Sequence, residues 1–110
     1  MKQGEIWYAN LNPTQGSEQR GIRPVVITSG NAMNDHFRVC IVCPLSSQIK
    51  QYAGCVLLKK DSTNNLNQDS EIITFQIRAV DKARLTKKIG SITPQQLNAL
   101  KAGLSDILTY

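Results

Sequence analysis

The chain closes on its clearest local signature, and that signature divides the sequence in two. Thr93-Pro94-Gln95-Gln96 offers an N-cap hydroxyl, a proline at the first helical position and a glutamine able to complete a capping box. Leu97, Leu100, Leu104, Ile107 and Leu108 then recur on a single apolar stripe, so one amphipathic helix is expected to pack on whatever precedes it. Gly103 beside the stripe costs about 1 kcal/mol of helix propensity relative to alanine, which points to close approach of another backbone or to simple tolerance. What precedes the helix is mostly short and β-forming. Gly4 to Asn10 carries Ile6 and Tyr8 on one face and Trp7 and Ala9 on the other, apolar on both sides as in a strand of a small closed barrel. Ile22 to Ser29, Phe37 to Cys43 (ended by Pro44), Gly54 to Lys60 and Ser70 to Phe75 read as four further strands.

The connections are less uniform. Asn31 to His36 has room for at most one helical turn, and Asp61 to Asp69 is a turn-rich loop with nothing catalytic to show. Gln76 to Leu85 reads as a short helix or an extended segment, followed by a strand around Lys88 to Ile92. The expected architecture is a mainly β, barrel-like sheet with a C-terminal helix and one or two helical turns. The 110 residues are expected to form one domain, able to bury a core without disulfides or a structural metal.

Charge narrows the range of partners without choosing one. The net charge is +5 and the isoelectric point near 9.3, a balance that favours polyanions. Arg78, Lys82, Arg84, Lys87 and Lys88 are countered only by Asp81, so the region after residue 77 is either a face that tracks a phosphate backbone or a solvated, solubilising one. No apolar run approaches the ~20 residues that span a bilayer, and the N-terminus lacks the apolar core of a secretory signal. Three cysteines agree with a reducing compartment, so a cytoplasmic protein without membrane partners is expected. Cys40-Ile41-Val42-Cys43 matches a redox spacing, but in a strand positions three apart point to opposite faces, so both are expected to be buried structural residues. The one histidine, His36, has no matching ligand set nearby, so neither a metal nor another cofactor is expected.

Pro13 to Pro24 is the polar, glycine-punctuated loop between the first two strands. Gly16 and Gly21 permit positive φ, and Pro24 pushes Arg23 into an extended conformation at the start of a strand. Ser17, Glu18 and Gln19 bring a hydroxyl, a carboxylate and an amide close to that guanidinium, a set able to grip a phosphate. The plainer alternative is a surface hairpin with an ordinary Glu18–Arg23 ion pair.

Several motifs occur in order: Gly4-Glu5-Ile6-Trp7; Asn12-Pro13-Thr14-x-Gly16-Ser17-Glu18-Gln19-x-Gly21-x-Arg23-Pro24-Val25-Val26; Pro44-Leu45-Ser46-Ser47; and Gln76-Ile77-Arg78-Ala79-Val80-Asp81. With them the chain resembles, over nearly its whole length, the MazF/PemK (Kid-type) toxins of bacterial toxin–antitoxin systems. The resemblance implies an SH3-like barrel of the MazF and CcdB superfamily. It also implies a homodimeric, metal-independent endoribonuclease that cuts single-stranded RNA and is silenced by a partly disordered, acidic antitoxin. A basic groove suited to RNA also suits such a peptide, so the two should compete.

Cleavage by a neighbouring 2′-hydroxyl, leaving a 2′,3′-cyclic phosphate and a 5′-hydroxyl, needs a proton acceptor, a proton donor and stabilisation of charge on phosphorus. The resemblance assigns the last to Arg23, which would clamp the phosphate and is also a candidate proton donor, and to Ser46, which stands where threonine is usual. Glu18 matches a family carboxylate that could hold Arg23 or accept the proton, or serve the fold alone. Glu5 matches a family residue in a strand facing the site. Ser17, Gln19, Ser47, Gln76 and Arg78 are candidate substrate contacts, though Arg78 could equally be tied to Asp81. Some Kid-type members carry histidine at the position of Ser17 and arginine and aspartate at those of Ile73 and Phe75, so their acid and base assignment does not transfer. Phe75 could instead stack on a base, or be ordinary core. Two other functions stay open: a gyrase-binding poison like CcdB, and a catalytically silent RNA-binding barrel.

Overall fold

A computed structural model describes residues 1–13, 15–18 and 21–110. Among the described residues seven strands form one curled antiparallel sheet: β1 (Glu5–Asn10), β2 (Ile22–Ile27), β3 (Val39–Ser46), β4 (Val56–Leu58), β5 (Ser70–Ile72), β6 (Arg78–Asp81) and β7 (Leu85–Ser91). The order across the sheet is β4-β5-β3-β2-β1-β7, with β6 also paired to β3. A six-residue helix α1 (Asn31–His36) joins β2 to β3, and α2 (Pro94–Thr109) ends the fold. Among the described residues no helix is long and apolar enough to cross a membrane.

β3 is the spine. Val42–Pro44 pair with β2 along one edge, while Val39–Val42 pair with β6 and Leu45–Ser46 with β5 along the other. The expected stop at Pro44 is overturned: the strand runs on to Ser46. Proline is tolerated because it sits where the outer edge changes partner from β6 to β5, so its missing N–H breaks no rung, while its carbonyl still accepts from Ile73 N at 2.9 Å.

Alternation along the central strands feeds two apolar clusters. Ile6, Val26, Cys43 and Leu45 join one with β4, β5 and Leu100 of α2; Ala9, Val25, Ile27, Cys40 and Val42 join the other, with Val80 and Leu11. Both faces of β1 are therefore used, as its sequence predicts, and Cys40 and Cys43 lie in opposite clusters. Both thiols are buried and free, and burial pushes them up, Cys43 to about 11.

The loop after β4 is more than a turn, because it closes the seam between the ends of the sheet. Ser91 N donates to Thr63 O at 3.1 Å and the Asn65 amide to Ile89 O at 3.0 Å, bridging to β7. Asn64, 1% exposed, holds the loop by donating to Lys59 O and accepting from the N–H groups of Asp61 and Leu66. Gly90 faces it, and a Cβ there would lie 2.5 Å from Thr63 O.

The capping box of α2 forms as its sequence predicts: Gln96 N donates to Thr93 Oγ1 at 3.1 Å, and Thr93 N to Gln96 Oε1 at 2.9 Å. The stripe needs one correction, since Leu108 is 81% exposed while Gly103 is buried. The helix is turned toward Gly103, whose absent Cβ would lie 2.1 Å from Gly54 O, and this swings Leu108 to the outer edge.

Candidate functional site

β5 ends at Ile72, three residues before the predicted limit, and the chain turns through a 3₁₀ segment at Thr74–Gln76. That turn changes the fate of Phe75. Instead of entering the core it is 48% exposed, its ring 6.0 Å from that of Tyr52 and inclined at 57°. After the turn, Gln76 Nε2 donates to Ser17 O at 3.1 Å, fastening the β1–β2 loop to this side of the sheet.

Two adjoining cavities share Ser17, Phe75 and Gln76. The first, about 360 Å³, is completed by Leu11, Glu18, Pro44, Ile77 and Arg78. The second, about 350 Å³, is completed by Ser46, Gln48, Lys50, Tyr52, Glu71 and Ile73. This cleft collects Ser17, Glu18, Ser46, Phe75, Gln76 and Arg78, six of the residues selected from the sequence.

Local hydrogen bonds set most of these groups. Glu18 folds back so that its carboxylate accepts from Gln15 N at 2.6 Å. Ser46 Oγ accepts from Gln48 N at 3.1 Å, which leaves the hydroxyl proton to be donated elsewhere. Arg78 is not tied to Asp81: its guanidinium donates to Leu11 O at 3.3 Å, while Asp81 caps the next 3₁₀ turn by accepting from Ala83 N.

Arg23 and Ser47 line a third cavity of about 160 Å³, with Tyr8, Ser70 and the loop around Asn67. The expectation from the sequence is that Arg23 and Ser46 share one pocket; in this structure they line different cavities. The β2–β3 pairing ends at Val25 opposite Pro44, and Arg23 and Ser46 each lie two residues beyond it, Arg23 paired with Ala9 of β1 and Ser46 with Glu71 of β5. Ser46 and Ser47, consecutive at the end of β3, face one cavity each, and that strand end is the ridge between them.

Glu5 is not brought to this group and lines none of the three cavities. Its carboxylate pairs with Lys88 at 2.9 Å and accepts from the Trp7 indole and Lys2 N. Burial pushes the Glu5 carboxyl up, but those donors outweigh it and leave it below its ordinary value. Gln19 lies outside the described residues.

The basic run after residue 77 is partly structural. Lys82 donates to Asn34 O, Arg84 to the carbonyls of Asn10 and Asn12, Arg78 to Leu11 O, and Lys88 to Glu5. Their charges still add to the net positive field of the molecule, while their geometry is set by the fold and only Arg78 among them lines the cleft. Among the described residues no three His, Cys, Asp or Glu side chains gather as a metal site would require.

Sequence reasoning missed Glu71. It sits in the Ser70 to Phe75 segment, from which sequence reasoning singled out only Phe75, yet it is 2% exposed and lines the cavity of Ser46. The signal available was the charge itself, lodged between Ser70 and Ile72 in a strand otherwise fit for burial.

Residues 2–108 match the model of the PemK-like, MazF-like toxins of type II toxin–antitoxin systems. The chain belongs to that family. It is 31% identical over 105 residues to the endoribonuclease EndoA of Bacillus subtilis (strain 168), covering 94% of this chain and 90% of EndoA. Over 99 residues it is 36% identical to the endoribonuclease MazF of Staphylococcus saprophyticus, covering 88% and 82%. In fold it is similar to the crystal structure of MazF from Deinococcus radiodurans, with a TM-score of 0.86, 23% identity and coverage of 100% and 97%. The curled sheet and C-terminal helix are thus the architecture of the MazF toxins.

Proposed function

We propose that this MazF-family chain is a sequence-selective endoribonuclease toxin, acting in the cytoplasm as a homodimer and held silent by an acidic antitoxin. The observation that carries the reading is its identity, along nearly its whole length, to two relatives named as endoribonucleases. The cleft agrees with it, since a hydroxyl, an exposed aromatic ring and amides line one continuous surface. An unpaired base can stack on Phe75 while Gln76 reads its edge.

In the mechanism we propose, the scissile phosphodiester lies across the ridge at the end of β3. Arg23 reaches it from one side, its planar fork matching two phosphate oxygens and stabilising the charge that develops as the 2′-oxygen attacks. Ser46 reaches it from the other, donating its hydroxyl proton to a non-bridging oxygen. The Glu18 carboxylate, on the exposed rim, accepts the 2′-hydroxyl proton; as the P–O5′ bond breaks, the leaving 5′-oxygen takes a proton from the Arg23 guanidinium, which solvent then restores. The products are a 2′,3′-cyclic phosphate and a 5′-hydroxyl.

The test is to incubate the purified protein with mixed-sequence single-stranded RNA in the presence of a chelator and to identify the new ends. Arg23→Lys keeps the charge and loses the fork, and should lower the cleavage rate on the order of 10²–10³-fold. Intact RNA together with inhibited gyrase supercoiling would instead mark a CcdB-like poison, and near-normal cleavage by Arg23→Lys would remove that residue from the mechanism.

A further inference from the structure

We infer that Glu71 is a positioning residue for the Ser46 hydroxyl, acting through the loop that follows β3; this rests on the RNA-cleaving reading of the cleft. Glu71 pairs directly across the sheet with Ser46, so the two side chains stand side by side on one face. The loop after Ser46 folds back over them and is gripped at both carboxylate oxygens: Lys50 N donates to Oε1 at 3.2 Å and Gln51 N to Oε2 at 2.9 Å. A third N–H of the same loop, that of Gln48, is taken by Ser46 Oγ. One carboxylate and one hydroxyl on adjacent strands therefore anchor three N–H groups of a single loop.

Two further observations argue against an incidental contact. Gln51 has φ +55, a left-handed conformation uncommon for a residue with a Cβ, and its N–H in that conformation donates to Glu71. Glu71 is 2% exposed, and among the described residues no cation lies within 4 Å of its carboxylate. An apolar side chain like those of its neighbours would fill a buried strand position without desolvating a charge. Here the two loop N–H groups that donate to the carboxylate are what compensate its burial. Fixing the loop holds the Gln48 N–H against Ser46 Oγ, which sets the direction of the remaining hydroxyl proton toward the cleft.

The experiment compares the wild type with Glu71→Gln and Glu71→Ala on a single-stranded RNA that the wild type cuts, together with amide hydrogen exchange. Lys50 and Gln51 N–H should be protected in the wild type although the loop is exposed. Glu71→Ala should lose that protection and lower kcat on the order of 10- to 100-fold, with KM little changed, as expected for a slackened catalytic group. Glu71→Gln keeps one acceptor and should fall in between. Unchanged kcat in folded variants, or a raised KM with normal kcat, would overturn the inference. So would rapid exchange of Lys50 and Gln51 in the wild type, a measurement that stands even if neither variant folds. A wild type that leaves RNA intact would overturn the functional reading itself, a different result from an active enzyme indifferent to Glu71.

Discussion

At the scale of single residues, the titratable groups divide into those used by the site and those used by the fold, and Glu5 falls in the second class. Its carboxyl is held below its ordinary value of 4.5 by Lys88, Trp7 and Lys2 despite the opposing effect of burial. A carboxylate with a lowered folded pKa contributes stability above its unfolded pKa and loses it as pH falls through the folded one. Glu5→Gln should therefore be less stable than the wild type near neutral pH, by about 1 kcal/mol or less for a partly exposed pair. Below the ordinary glutamate value the gap should close, and denaturant melts at about pH 7 and about pH 3 check it. Cleavage by Glu5→Gln, measured where it is fully folded, should stay close to that of the wild type. The cysteines give a second prediction at this scale. Burial pushes all three thiols up, but Cys55 is only partly covered, so alkylation of the native protein should modify Cys55 first and reach Cys40 and Cys43 only with unfolding.

At the scale of elements, α2 depends on the contact between Gly103 and Gly54. A methyl at 103 gains about 1 kcal/mol of helix propensity but collides with a backbone carbonyl that cannot swing aside. The helix must shift, and Gly103→Ala should be destabilised by roughly 2 kcal/mol net in thermal or denaturant melts. Thr93→Ala, which removes one arm of the capping box, should cost about 1 kcal/mol. These elements also mark what the sequence could and could not convey. The box and stripe of α2, the alternation of β1 and the opposed faces of Cys40 and Cys43 were legible because each is a local period. Pro44 misled, since whether a proline ends a strand depends on which partner lies beside it, a property of pairing between distant residues. The end of β5 misled for a related reason: an apolar run does not announce that its last residues leave the sheet in a 3₁₀ turn, which is what decides between the stacking and core alternatives left open for Phe75. Most of the candidate cleft was legible through polar residues in loops, whereas Glu71 was not, because its role arises only when the loop after β3 folds back over β5.

At the scale of the whole molecule, a chain of net charge +5 carries a cleft whose charged lining is balanced, Lys50 and Arg78 against Glu18 and Glu71. Arg78, Lys82, Arg84 and Lys88 are spent on carbonyls or on Glu5, so they act on a ligand through their summed field more than through direct contact. That field does not distinguish an RNA strand from an acidic, extended peptide, since both are flexible polyanions able to follow the same groove. In a MazF-family toxin this makes inhibition by charge competition the expected outcome. A saturating acidic antitoxin should displace a bound single-stranded RNA, and raising salt should weaken both, each phosphate neutralised adding about 0.7 to the slope of log affinity against log salt. The measurement is fluorescence anisotropy of labelled RNA on Arg23→Lys protein, which slows cleavage during the titration. Displacement in proportion to antitoxin bound supports a shared groove. A ternary complex, with RNA anisotropy unchanged at saturation, would show that the antitoxin acts from another face and that the field serves RNA alone.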